Sequence, residues 1–85
     1  MYKVCRNIET ETREMREVFA DTMMKLAEND KKFIYLDGDI MNSIKMVPFS
    51  KKYPEQTIDC GIQEANMVGV AAGMSSVGLI PYAHT

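Results

Sequence analysis

The sequence has 85 residues, 46% apolar and 26% charged, with 12 acidic against 10 basic residues for a net charge of -2, a balance that offers no electrostatic footprint for nucleic acid. A chain of this length buries only about 60% of its unfolded surface, so its own core is marginal and a partner or a missing remainder is expected. No apolar stretch approaches the roughly 18 to 20 residues that span a bilayer, and the N-terminus carries no secretory pattern, so the expected location is cytoplasmic, with no membrane.

Residues 1 to 9 form a lead-in without a clean period. From Glu11 onward, Met15, Val18, Phe19, Thr22, Met23 and Leu26 recur at three-and-four spacing, which predicts a helix with one apolar stripe, and Glu11 and Glu14 favour the positive end of its dipole. The run Glu28-Asn29-Asp30-Lys31-Lys32 predicts a surface loop. Phe33-Ile34-Tyr35-Leu36 is apolar without alternation, the pattern of a parallel strand covered on both faces, and Asp37-Gly38-Asp39 ends it. In open parallel sheets the ligand crevice lies at the carboxyl ends of the strands, so two carboxylates there stand where a site is expected. Pro48 and Pro54 bracket a short helix, and Thr57-Ile58-Asp59-Cys60 predicts a brief second strand.

Gly61 supplies a tight turn, after which Met67, Val70, Ala71 and Met74 form the stripe of a helix over residues 63 to 77. Ala65, Gly69, Ala72, Gly73 and Ser76 keep that helix thin, Gly78 caps it, and a third apolar strand follows over 79 to 83. Helix and strand alternate as in the first half of a doubly wound α/β fold, with too few strands to cover both faces.

Cys5 and Cys60 have neither a paired spacing nor a nearby His cluster, so both are expected to be reduced thiols, with no metal site. Asp37-x-Asp39-x-x-Asn42 opens like a calcium loop but places Pro48 at the twelfth position. Gly69, Gly73 and Gly78 do not make a dinucleotide phosphate loop. Gly38-Asp39 followed by Asn66 is similar to a Gly-Asp-Gly…Asn magnesium motif, yet Ile40 replaces the second glycine and Asn66 falls inside a helix. Glu64 is the informative position, because it follows a strand and a glycine turn and so stands in the first turn of a helix near the crevice. Its bland reading is a helix-dipole partner, and that of His84 is a structural or solvated imidazole.

The string from Tyr53-Pro54 through Asp59-Cys60-Gly61-Ile62-Gln63-Glu64 to Met67, followed by Ala71-Ala72-Gly73 and Gly78-Leu79-Ile80-Pro81-Tyr82, resembles the pyrimidine-binding domain of transketolase. Thr12-Arg13 and Gly38-Asp39-Ile40-x-x-Ser43 match in order, so the resemblance covers residues 10 to 85, a domain truncated at its C-terminal side. It implies thiamine diphosphate as cofactor. Glu64 would be the catalytic glutamate that hydrogen-bonds N1′ of the aminopyrimidine, favouring the imino tautomer whose 4′ nitrogen removes the thiazolium proton. Asp39 would lie beside the cofactor, and Arg13 and Ser43 would hold the phosphate of a sugar-phosphate substrate.

Gln56 stands where many members have Arg, and Ala65 replaces the Gln, His or Phe that often follows the glutamate. The aromatic that packs on the pyrimidine and the whole diphosphate-binding half, with its Mg2+ ligands, are not among these residues. A second subunit or domain is therefore the implied partner, in a homo- or hetero-oligomer, and the chain is not expected to be active alone. Met1 favours a natural start and the stop at Thr85 a truncation. The expected parent is a transketolase moving two-carbon ketol units, most like the C-terminal subunit of a split enzyme. The alternatives are 1-deoxyxylulose-5-phosphate synthase, a pyruvate dehydrogenase-type beta subunit, and a non-catalytic interaction fragment or relic.

Overall fold

The apolar run without alternation takes the centre of the sheet. In the computed structural model, which describes residues 1–10 and 12–85, β1 is Phe33–Asp37 and all five of its residues are buried. β2 (Thr57–Asp59) and β3 (Ile80–His84) lie on either side of it in the order β2-β1-β3, both parallel to it. A strand paired on both edges and covered on both faces has no use for polar side chains until its end, where the chain leaves the sheet.

The two faces carry separate cores. On one, α1 (Met15–Asn29) and α2 (Val47–Lys52) bury Met23, Ala27, Met46 and Phe49 against Phe33 and Tyr35. On the other, α3 (Glu64–Ser76) packs Met67, with Val70, Ala71 and Met74, onto Ile34 and Leu36. That stripe on α3 is the one its spacing predicts. The far side of α3 has no cover: Val68 is 62% and Val77 75% exposed, as a half-filled layer requires.

α1 departs from expectation in three ways. It begins at Met15, so Arg13 precedes the helix; Glu14 is its extended N-cap, and its carbonyl accepts the N–H groups of Glu17 and Val18. It runs on through Glu28 and Asn29, because hydrophilic residues suit an exposed last turn as well as a loop. Its packed face is Phe19, Met23 and Ala27, one residue in four, whereas Met15, Val18, Thr22 and Leu26 are exposed. The helix carried two adjoining apolar rows, and the row with the large ring beside small Ala27 fits the sheet. The expected role of Glu11 lies outside the described residues. Residues 1 to 10 have no regular structure and are exposed.

The connections are closed by local chemistry. Gln56, in the 3-10 turn Pro54–Gln56, is buried with its amide nitrogen 2.9 Å from the carbonyl of Phe33, 3.1 Å from that of Asp30 and 3.4 Å from that of Ala27. It joins the end of α1 to the start of β1. Gly78, at φ 89, ends α3 in a Schellman motif, with its own N–H on Ser75 and that of Leu79 on Met74. This cap delays the third strand by one residue, to 80. No helix among the described residues is long and apolar enough to cross a membrane.

Candidate active site at the carboxyl edge of the sheet

The three strands end in register. Asp37 is the Cα partner of Asp59 on one side and of His84 on the other, so these three side chains share the α1 face of the sheet, and the next residues, Gly38, Cys60 and Thr85, turn to the α3 face.

On the α3 face, Gly61, at φ 71, turns the chain from β2 into α3, and Glu64 is the first residue of that helix. Its carboxylate is exposed, and Oε1 accepts the Thr85 hydroxyl at 3.3 Å. Thr85 in turn lies over Gly38, where a Cβ would come within 2.8 Å of its Oγ1. Glu64 forms no salt bridge among the described residues, and Oε2 has no protein donor there. The oxygen without a protein donor leaves this carboxylate able to accept from a ligand nitrogen. This fits the pyrimidine end of thiamine diphosphate. Cys60 lies beside this edge with its thiol pushed up by burial and by the nearby Asp59 and Asp37.

On the α1 face, the segment from Gly38 to Met46 crosses the edge. Asp39 sits at φ 70 and is exposed. It lines an open depression of about 320 Å³ with Ile40, Met41, Asn42, Ser43 and Asp59. The Ser43 hydroxyl donates to the Ile40 carbonyl at 2.9 Å, and the Ser43 carbonyl accepts from Arg16 at 2.8 Å. Arg13 is elsewhere: its guanidinium pairs with Asp21 and lies 3.8 Å from Glu17, in a groove it shares with Lys45 and Pro48. The Asp21 carboxylate raises the pKa of that guanidinium. The structure thus brings Asp39 and Ser43 together, sets Glu64 on the opposite face of the same edge, and places Arg16 rather than Arg13 against Ser43.

Two further groups stand out here: Asp37, one of the two carboxylates expected at the strand end, and His84. Asp37 is wholly buried, and the Tyr35 hydroxyl donates to its Oδ1 at 2.6 Å. Burial first, and then this carboxylate, push the Tyr35 phenol well above its ordinary range, so it stays a donor. His84 lies against Phe19 in a tilted pair with ring centroids 4.8 Å apart, and its Nδ1 is buried without a partner among the described residues. Among the described residues no group of three His, Cys, Asp or Glu side chains could hold a metal ion.

Residues 11–85 match the family described as transketolase, pyrimidine binding domain. The chain belongs to that family. Its members depend in general on thiamine diphosphate. A 6-deoxy-6-sulfo-D-fructose transketolase subunit of Clostridium sp. (strain MSTE9) is 38% identical over 84% of this chain and 22% of its own length. The 1-deoxy-D-xylulose-5-phosphate synthase of Brevibacillus brevis is 41% identical over 75% of this chain and 10% of its own. A solved split-gene transketolase, an inactive β4 tetramer, superposes with a TM-score of 0.70 at 41% identity, over 80% of this chain and 23% of that one. The chain therefore spans about a fifth of the first relative's length, and the three-stranded parallel sheet is the part of the family's pyrimidine-binding domain it holds.

Proposed function

We propose that this chain supplies the pyrimidine-binding side of the active centre in a thiamine diphosphate-dependent transketolase that moves two-carbon ketol units between sugar phosphates in the cytoplasm. The observation that carries the reading is Glu64: a carboxylate at a helix start, on the carboxyl edge of a parallel sheet, with one oxygen held by Thr85 and the other free. When bound, the cofactor supplies the electron sink for breaking and making the carbon–carbon bond. Glu64 would hold the proton at N1′ of its pyrimidine. Asp39 would contact the cofactor from the other face of the edge, and Ser43, with Arg13, would take the substrate phosphate, for which a guanidinium fork is suited.

Residues 10 to 85 form this partial domain and residues 1 to 9 lead into it. A diphosphate-binding subunit or domain, carrying the Mg2+ ligands, completes the centre, and the exposed face of α3 is consistent with assembly. The 41% identity to a 1-deoxy-D-xylulose-5-phosphate synthase supports a second reading, a fragment of that enzyme. Ser43 and Arg13 favour ketol transfer, and the product formed from a ketose phosphate distinguishes the two.

The test is Glu64→Gln in the assembled parent enzyme. Turnover should fall about 10²-fold or more, the usual scale for a general acid or base, with the circular dichroism unchanged. Full turnover at saturating thiamine diphosphate and magnesium would return Glu64 to the role of a helix-dipole partner.

A further inference from the structure

Asp37 is a buried carboxyl to which the reading above gives no part. Donors reach it from two sides: the Tyr35 hydroxyl at Oδ1, 2.6 Å, and the Ile40 backbone N–H at Oδ2, 2.8 Å. Its backbone carbonyl also takes the Cys60 N–H at 2.8 Å, and the next N–H, of Gly38, goes to the His84 carbonyl at 3.0 Å. One residue therefore ties the core floor and a neighbouring strand to the turn that leaves β1. That turn needs a tie. Asp39 lies at φ 70, a left-handed conformation that Asp tolerates better than most residues but that costs free energy in any residue with a Cβ, so contacts that hold the turn matter. An apolar residue in place of Asp37 would fill the space and leave the Ile40 N–H without its acceptor.

We propose that Asp37, oriented by Tyr35, is a positioning residue that fixes the turn over 38–40 and with it the placement of Asp39 and Ser43. Its consequence for catalysis rests on the roles given above to those two residues. Tyr35 sets the carboxyl rotamer from the core side, and Asp37 transmits it to the Ile40 amide. Farther along the same segment, Arg16 holds the Ser43 carbonyl, so the site-bearing stretch is pinned at both ends.

Amide hydrogen exchange on the full 85-residue chain tests this without cofactor. In Asp37→Leu, protection at Ile40 should fall about 10-fold or more beyond any fall at Leu36 in β1. Asp37→Asn keeps an acceptor oxygen and should restore it. Tyr35→Phe, which removes only the hydroxyl, should lower Ile40 protection selectively, and this variant decides the matter if Asp37→Leu does not fold. Unchanged protection at Ile40, or a fall that merely tracks Leu36, would overturn the proposal. In the assembled parent enzyme the same variants should weaken the apparent affinity for cofactor and substrate more than they lower kcat. Selective exchange at Ile40 with unaltered affinities would uphold the positioning and count instead against the roles of Asp39 and Ser43.

Discussion

Gly38 and Thr85 occupy each other's side-chain space: a Cβ built on Gly38 falls 2.8 Å from Thr85 Oγ1 and 3.0 Å from Thr85 Cβ. The absent side chain at the end of β1 is what lets the residue after β3 reach Glu64. Gly38→Ala should therefore destabilise the chain by about 1 kcal/mol or more, in the range of overpacking costs, because the Thr85 side chain must give way. In a Thr85→Gly background most of that cost should vanish. Thermal melts of the two single variants and the double variant close the cycle, and additive losses would show that the two residues do not compete for space.

Gln56 is the second position where a single side chain joins distant segments. Gln56→Leu keeps the bulk and removes the side-chain donor from the carbonyls of Ala27 and Phe33, while that of Asp30 keeps the Phe33 N–H at 3.2 Å. The expected loss is about 1–3 kcal/mol by urea titration, the cost of unpairing buried polar groups. A loss no larger than that of a surface substitution would mean that water reaches these carbonyls.

The exposed ion pairs between α1 and the site-bearing segment give a salt- and pH-dependent prediction. Lys45 lies 3.1 Å from Glu14 and 3.2 Å from Glu17. Hydrogen bonds donated by Lys45 and then Arg16 lower the pKa of Glu14 from its ordinary 4.5, and the accepting carboxylates of Glu14 and then Glu17 raise that of Lys45 from 10.5. The stabilisation from Glu14 is complete above 4.5 and disappears as pH falls through its lowered value. That from Lys45 is complete below 10.5 and is lost as pH rises through its raised value. A small gap in melting temperature between the natural chain and Lys45→Met should thus be present at pH 7, close in strong acid, and shrink in 0.5 M salt, about the range where screening becomes short. A gap indifferent to both would assign the effect of Lys45 to its packing.

Thiol chemistry separates the two cysteines. Cys5 is exposed, whereas burial and two carboxylates raise the Cys60 thiol from its ordinary 9.0. Alkylation by iodoacetamide at pH 8 should modify Cys5 quickly and Cys60 slowly, and the midpoint of the Cys60 rate-against-pH profile should lie above the ordinary 9.0. Because the folded state holds this proton longer, the contribution of the neutral thiol to stability is present below 9.0 and is lost as pH rises through the raised value. Equal rates at pH 8 would contradict the protected position of Cys60.

The parts of this molecule that are local in the chain could be read from it. Four consecutive apolar residues announced β1, and Gly61 and Gly78 marked the turn into α3 and its end, which places Glu64 at a helix start. Which row of α1 meets the sheet was not legible, since Met15-Val18-Thr22-Leu26 and Phe19-Met23-Ala27 are equally periodic and only the sheet's shape selects between them. The apposition of Gly38 with Thr85 and the pairing of Asp37 with His84 depend on the register of strands nearly fifty residues apart, which no short-range pattern encodes. Arg13 and Ser43 were linked by family resemblance. Arg16 meets Ser43 because α1 starts two residues after Arg13 and turns position 16 toward the segment.

The order β2-β1-β3 sets a schedule for the nascent chain. β1 leaves the ribosome early, yet its second edge stays open until β3 has emerged, and the N–H of Gly38 has no acceptor until the carbonyl of His84 arrives. For the time needed to add those residues, a few seconds at about 5–20 per second, a flat apolar strand has one bare side. Helix α3, whose Met67 packs on Ile34 and Leu36 in the finished fold, is synthesised in that interval. A polypeptide released before residue 84 would carry the turn and Asp39 with that edge of β1 unpaired and open to other chains.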